Sequence, residues 1–235
     1  MAESLHERYD RDERRLLDTA ATELPTDNLL DAVIDVASPV IGASAWDDLP
    51  ADAPPRTTER YTAAGALTAM ALRAARTTAL TVRAGYAAEA LADVRRLFEI
   101  AGHAQRVAED PSGQYAANWL GGRGRSSRPR VAFGEPDSDP MWKLMSGQAH
   151  AQFDVYAGMS AKFDEGRLVH QVGPQRDPLR DSIWLWYAAR QLVRVLAGLL
   201  KVHPHIDQTD FLAVAGRVVA AEEGLVTAIA NHRPS

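Results

Sequence analysis

The amino-acid sequence predicts an all-α protein, a helical bundle of six or seven helices, and three observations carry that prediction. Apolar residues recur at three- and four-residue steps through long alanine-rich stretches, glycine and proline gather where those stretches end, and no run alternates as a strand would. With 235 residues, 46% of them apolar, the chain can furnish one sizeable core. The organisation expected is an N-terminal region, 1–56, of helices and an acidic Pro-rich loop, followed by a main bundle, 57–235, with a basic loop at 121–140.

Composition narrows the function classes. A net charge of −5 argues against a surface coated in positive charge for nucleic acid, so any contact with an anion must be local. The absence of cysteine removes disulfides, thiolate zinc sites and cysteine nucleophiles together. The start of the chain is charged and has no apolar signal core, and no window holds the roughly 18 apolar residues of a membrane span. A cytoplasmic protein, with no membrane partner and no cofactor, is therefore expected.

In chain order, Asp12 to Glu23 and Asn28 to Ile41 read as short helices around Pro25, the second capped by Thr26 or Asp27 and stopped by Pro39 and Gly42. Residues 43–56 read as a loop. Asp47, Asp48 and Asp52 within it are spaced like the acidic metal motif of terpene synthases, but the surrounding prolines favour a solvated acidic loop. A long helix from Thr57 to Thr81, capped by Thr57 or Thr58, meets Gly85, which either kinks or ends it. The next helix runs to about Asp110, where Pro111, Ser112 and Gly113 break it. Two long helices so closely joined should pack as a hairpin or form one bent rod.

A short helical piece around Tyr115 to Leu120 precedes residues 121–140, where glycine, serine and proline are interrupted by Arg123, Arg125, Arg128 and Arg130. A loop this long is expected to be mobile without ligand, and it has two readings: a basic lid over phosphate, or a plain connector. Asp139 and Pro140 then open a helix predicted to reach about Phe163, and 164–178 reads as a polar loop. Leu179 to Val202 is apolar almost all round, which marks the central, most buried helix. Pro204 ends it, and Asp207 to His232 forms the last amphipathic helix, capped by Asp207 or Thr209.

The helix after Gly85 carries the most chemistry. Leu91, Val94, Leu97, Phe98, Ala101, Ala104 and Val107 make one face apolar, while Arg95, Arg96, Glu99, His103 and Arg106 share another. Arg95 and Glu99 stand four apart, as do Glu99 and His103, and as do Ser146 and His150, then His150 and Asp154, on the later helix. The Arg95–Glu99 pair is expected to be at least partly buried, with its helix packed on the Ser146/His150 helix. Inward-facing Glu and His from neighbouring helices would also permit a metal site, although di-iron bundles use a Glu-x-x-His spacing that is not seen here. His203, His205 and Asp207 read as turn residues with a helix cap. Trp142, Trp184 and Trp186 read as core.

The run Gly85-Tyr86, Glu89-Ala90, Val94 to Glu99 and Asp110-Pro111, followed by Trp142 and by Ser146 and His150, resembles an uncharacterised bacterial all-helical family with an Arg-x-x-x-Glu helix and a later Ser-x-x-x-His helix. The resemblance covers roughly residues 57–200 and implies a helical fold. A looser resemblance is to the HEPN superfamily of helical ribonucleases and nucleotide-binding domains, whose motif is an arginine, four to six intervening residues, then a histidine. Arg96 to His103 has that spacing, with Leu97 where a polar residue is usual, and Lys143 to His150 has it with lysine for arginine.

On these grounds the expected function is that of an effector directed at RNA or a nucleotide. His150, Arg95, Glu99 and Ser146 are the candidate catalytic residues. Arg96, His103, Lys143, Arg123, Arg125 and Arg128 are the candidate substrate contacts, with no metal ligand named. The alternative is a non-catalytic interaction protein, a homodimer, in which the Arg-Glu-His network is structural. A metal-binding helical bundle enzyme is a further alternative.

Overall fold

The computed structural model of the chain describes residues 4–24, 26–44, 53–123, 161–164, 167–170 and 173–231. These form seven helices: α1 (Leu5–Glu23), α2 (Asp27–Ser44), α3 (Thr57–Arg83), α4 (Ala87–Glu109), α5 (Gln114–Leu120), α6 (Pro178–Val202) and α7 (Thr209–Asn231). The fold is an all-α bundle. Among the described residues its one departure is a short antiparallel hairpin, β1 (Ala161–Asp164) paired with β2 (Arg167–His170).

α6 is the axis of the bundle, with α2, α3, α4 and α7 packed around it. Its sequence is apolar on almost every side, and Trp184, Leu185, Leu192, Val195, Leu196 and Leu199 are all buried. Trp184 and Trp186 are core residues as expected, and the Trp186 indole donates to the Val218 carbonyl of α7 at 2.9 Å. α3 buries a stripe that is mostly alanine, including Ala63, Ala71, Ala75 and Ala79, which lets α4 and α6 approach closely. Gly198 of α6 makes the same kind of approach: a Cβ there would lie 3.1 Å from the Ala104 carbonyl oxygen of α4. The N-terminal helices share this core, through Leu24, Leu30, Val33 and Ala37.

α3 and α4 form a hairpin, and Gly85 ends α3 rather than kinking it. Gly85 has φ +89°; its N–H donates to the Val82 carbonyl and that of Tyr86 to the Thr81 carbonyl, which satisfies the last turn of the helix. The same glycine lies against α1 and the segment before α6. A Cβ would come within 2.5 Å of Leu16 Cδ1 and 2.7 Å of the Gln175 nitrogen.

A polar clamp holds that end of the bundle. Arg83 of α3 pairs with Asp27 and Asp31 of α2, and Arg176 donates to the Leu16 and Arg83 carbonyls at 2.6 and 2.9 Å. Arg176 also faces Glu23 at 3.3 Å and Asp181 at 3.6 Å, and Thr26 donates to the Ser182 carbonyl at 2.7 Å. Burial holds Asp181 above the ordinary carboxylate range, although Arg180, the Asp177 N–H and Arg176 all favour its charged form. Tyr86, half-buried and hydrogen-bonded to Glu13 of α1, is pushed up to about 12 by burial first and by Glu13 second.

Several expected boundaries are corrected. α1 begins at Leu5, not Asp12, because Ser4 caps it reciprocally with Glu7: each backbone N–H is bonded by the other's side chain, at 3.2 and 2.8 Å. α2 runs through Pro39 and Gly42 to Ser44. Pro39 is on the exposed side, so water can satisfy the Asp35 carbonyl that loses its helical partner. Residues 161–163, expected at the end of a helix, are strand, and the polar loop expected from 164 contains β2. Their cross-strand partners, Ala161 with His170 and Phe163 with Leu168, close a tight hairpin that helical periodicity does not register.

Candidate functional site

The candidate site is the outer face of α4 where α5 folds back beside it. α4 turns Leu91, Val94, Leu97, Ala101 and Ala104 inward, all buried, against α3 and α6. That leaves Arg95, Arg96, Glu99, His103 and Arg106 on its margin and outside. The chain then reverses at Asp110. The Asp110 carboxylate accepts from the Ser112 N–H at 2.9 Å, from the Ser112 hydroxyl at 2.5 Å and from the Tyr115 N–H at 2.6 Å, so it caps the start of α5. Although burial works against it, these hydrogen bonds hold Asp110 below the usual carboxylate range.

This reversal sets Tyr115 and Trp119, one turn apart on α5, against His103. His103 Nδ1 and the Tyr115 hydroxyl share a hydrogen bond of 2.6 Å. The imidazole centroid lies 6.2 Å from the Tyr115 ring and 6.3 Å from the Trp119 ring. The Arg106 guanidinium stands over the Tyr115 ring, 5.6 Å from its centroid. His103 is half-buried, and burial first, Arg106 second, push its imidazole below the ordinary histidine range, while Glu99 pulls the other way. The ring is therefore mostly neutral near pH 7.

Arg95 Nε lies 3.3 Å from Glu99 Oε1, the four-residue pair expected, and the pair is part-buried, its side chains keeping 24% and 43% exposure. The apolar stripe of α4 takes the sheltered positions, and the pair sits at its edge. Arg96 is exposed beside Asp93. Arg123 follows the end of α5, where its N–H donates to the Asn118 carbonyl at 2.9 Å and its side chain is exposed. Ser146, His150, Lys143, Arg125 and Arg128 lie outside the described residues, as do Asp47, Asp48, Asp52, Trp142, most of the 121–140 loop and most of the helix expected after it.

The structure thus gathers Arg95, Glu99, His103 and Arg106 and adds Tyr115 and Trp119, which sequence reasoning placed on a helix without assigning them to the site. Their signal was present: an acidic cap five residues before Tyr115, then two aromatics four apart. Among the described residues no group of three or more His, Asp or Glu stands ready to hold a metal ion, and no helix is long and apolar enough to cross a membrane. His203 is fully buried, its ring 4.0 Å from that of Tyr61, and so belongs to the core beneath the α6–α7 turn. Asp207 accepts from the Thr209 N–H and hydroxyl, the cap expected of it. No protein-family model, curated protein or solved structure matches the chain.

Proposed function

We propose that the α4–α5 face binds RNA or a nucleotide, and that the chain is a helical effector directed at such a ligand. The observation that carries this reading is the packing of the half-buried His103 imidazole against the Tyr115 and Trp119 rings, with the Arg106 guanidinium over Tyr115. Partly exposed aromatic rings offer a base a stacking surface, and arginines match phosphate oxygens. Arg96 and Arg123 lie exposed on the same two elements and would extend the cationic margin toward a phosphate chain. A neutral imidazole is the form that can accept a proton from a ribose hydroxyl, and a neighbouring guanidinium would stabilise the charge that develops on phosphate. Ser146 and His150 stay in the proposal as sequence candidates.

The test is direct. Purified full-length protein is incubated with fluorescent single-stranded RNA and with a labelled nucleotide, and binding and RNA integrity are followed for wild type, Trp119→Ala, His103→Ala and His150→Ala. Wild type should bind, with affinity lowered by roughly tenfold in Trp119→Ala, the loss of one stacked base. If wild type neither binds nor alters RNA or nucleotide, the proposal is wrong.

A second reading is favoured by how the same polar groups satisfy one another. Arg95 with Glu99, and His103 with Tyr115, are ties within α4 and from α4 to α5. They suit a non-catalytic, homodimeric interaction protein in which this network is structural.

A further inference from the structure

α3 sets four arginines, Arg60, Arg73, Arg76 and Arg83, against a single carboxylate, Glu59, in a chain whose net charge is −5. Two of the four are committed: Arg83 pairs with Asp27 and Asp31, and Arg60 donates to the Ala108 carbonyl of α4 at 3.5 Å. Arg73 and Arg76 are exposed and stand three apart, about 60° from each other around the helix. Among the described residues no carboxylate lies within ion-pair distance of either. α6 packs on the inner side of both α3 and α4, so the exposed strips of these two helices face the other way and make one outward surface. Gly85 is the turn of the hairpin and Arg60 reaches Ala108 across it, which sets Arg73 level with Arg96 and Arg76 level with Asp93. The carboxylates of α4 on this surface are Asp93, beside Arg96, and Glu89, near the Gly85 end. His103 follows Arg96 by seven residues, two turns along the same face, with Tyr115 and Trp119 against it. The arginine strip and the aromatic pair are thus consecutive stretches of one surface.

We infer that the ligand of the α4–α5 face is a single-stranded RNA chain rather than a mononucleotide, and that its phosphates run from the His103 end past Arg96 to Arg73 and Arg76. This rests on the RNA-or-nucleotide reading above and selects between its two ligands. The choice rests on charge and on length. Guanidinium forks that no carboxylate of the protein occupies match phosphate oxygens, and the strip continues directly into rings on which a base can stack. From the level of His103 to that of Arg76, opposite Asp93, is ten residues of α4, about 15 Å. At 3.4 Å or more for each nucleotide along a strand, that distance takes roughly four nucleotides. A mononucleotide set against Trp119 ends short of Arg76. An acidic polypeptide would satisfy the arginines but would leave the Tyr115 and Trp119 rings without a planar partner. Because the arginines meet phosphates rather than base edges, the track accepts any sequence.

The experiment is fluorescence anisotropy on the full chain with labelled uridylate and with its dimer, tetramer and octamer, beside an oligoglutamate of the tetramer's charge. Affinity should climb by roughly tenfold or more from the mononucleotide to the tetramer and change little from there to the octamer. Arg73→Ala combined with Arg76→Ala, both at exposed positions, should weaken tetramer binding by roughly tenfold and reduce its salt slope by about two, while the mononucleotide binds as it does to wild type. Circular dichroism verifies that the variant stays helical. A mononucleotide bound as tightly as the tetramer, or a tetramer bound equally by wild type and the double variant, overturns the track and leaves the α4–α5 reading standing. If neither uridylate nor any of its oligomers binds, that reading falls as well. Oligoglutamate bound as tightly as the tetramer overturns RNA as the occupant of the arginine strip.

Discussion

His103 and Tyr115 meet at 2.6 Å, Nδ1 to hydroxyl, and this contact fastens the short α5 to the outer face of α4. The imidazole is pushed down by burial and by Arg106, with Glu99 as the weaker opposing influence. Because the folded pKa lies below the unfolded value near 6.5, the unfolded chain takes up the proton first. The stabilising contribution is thus complete above about pH 6.5 and is lost as the pH falls toward the depressed folded value. His103→Gln should flatten the fall in stability below that point, as read in denaturant melts at a series of pH values. An unchanged slope would show that the ring is not held neutral. Tyr115→Phe should cost about 1 kcal/mol at neutral pH, the loss of one hydrogen bond.

The Arg95–Glu99 pair should contribute little. At 24% and 43% exposure it is a helix-surface pair, so Glu99→Ala should cost under about 0.5 kcal/mol. A loss near the 3 kcal/mol or so of a buried pair would mean that Glu99 is sheltered to an extent its exposure does not reveal.

Asp181 behaves differently. It is fully buried, 3.6 Å from Arg176, whose own side chain is 8% exposed. Asp181→Ala removes one of the two carboxylates that face this guanidinium, Glu23 remaining at 3.3 Å, and should destabilise the protein by about 2 kcal/mol in a denaturant melt. Asp181→Asn retains an oxygen to accept from the Asp177 N–H, now at 3.2 Å, and should cost less. A loss below about 1 kcal/mol for Asp181→Ala would show that the clamp is not needed.

Most of the fold was legible because helical periodicity and its punctuation are local. The apolar surround of Trp184 to Leu200 identified the central helix, and Gly85, Pro111 and Pro204 marked ends that the structure keeps. Features that depend on partners far along the chain were not legible. Arg176 and Leu16 are 160 residues apart, and nothing in either neighbourhood announces their hydrogen bond. Pro39 was misjudged because a helix tolerates proline where the freed carbonyl faces water, and facing is a tertiary property. In the site, the spacing of Arg95, Glu99 and His103 gave the α4 face, but the placing of Tyr115 and Trp119 against it depends on the reversal at Asp110.

The salt dependence of RNA binding tests the central claim most directly. If the α4–α5 face binds the ligand through its phosphates, the logarithm of the binding constant should fall linearly with the logarithm of salt concentration. Arg96→Ala and Arg106→Ala should each reduce the slope by about one, whatever the RNA sequence. Binding that is absent, or whose slope is the same in wild type and in both variants, would contradict the assignment of this face.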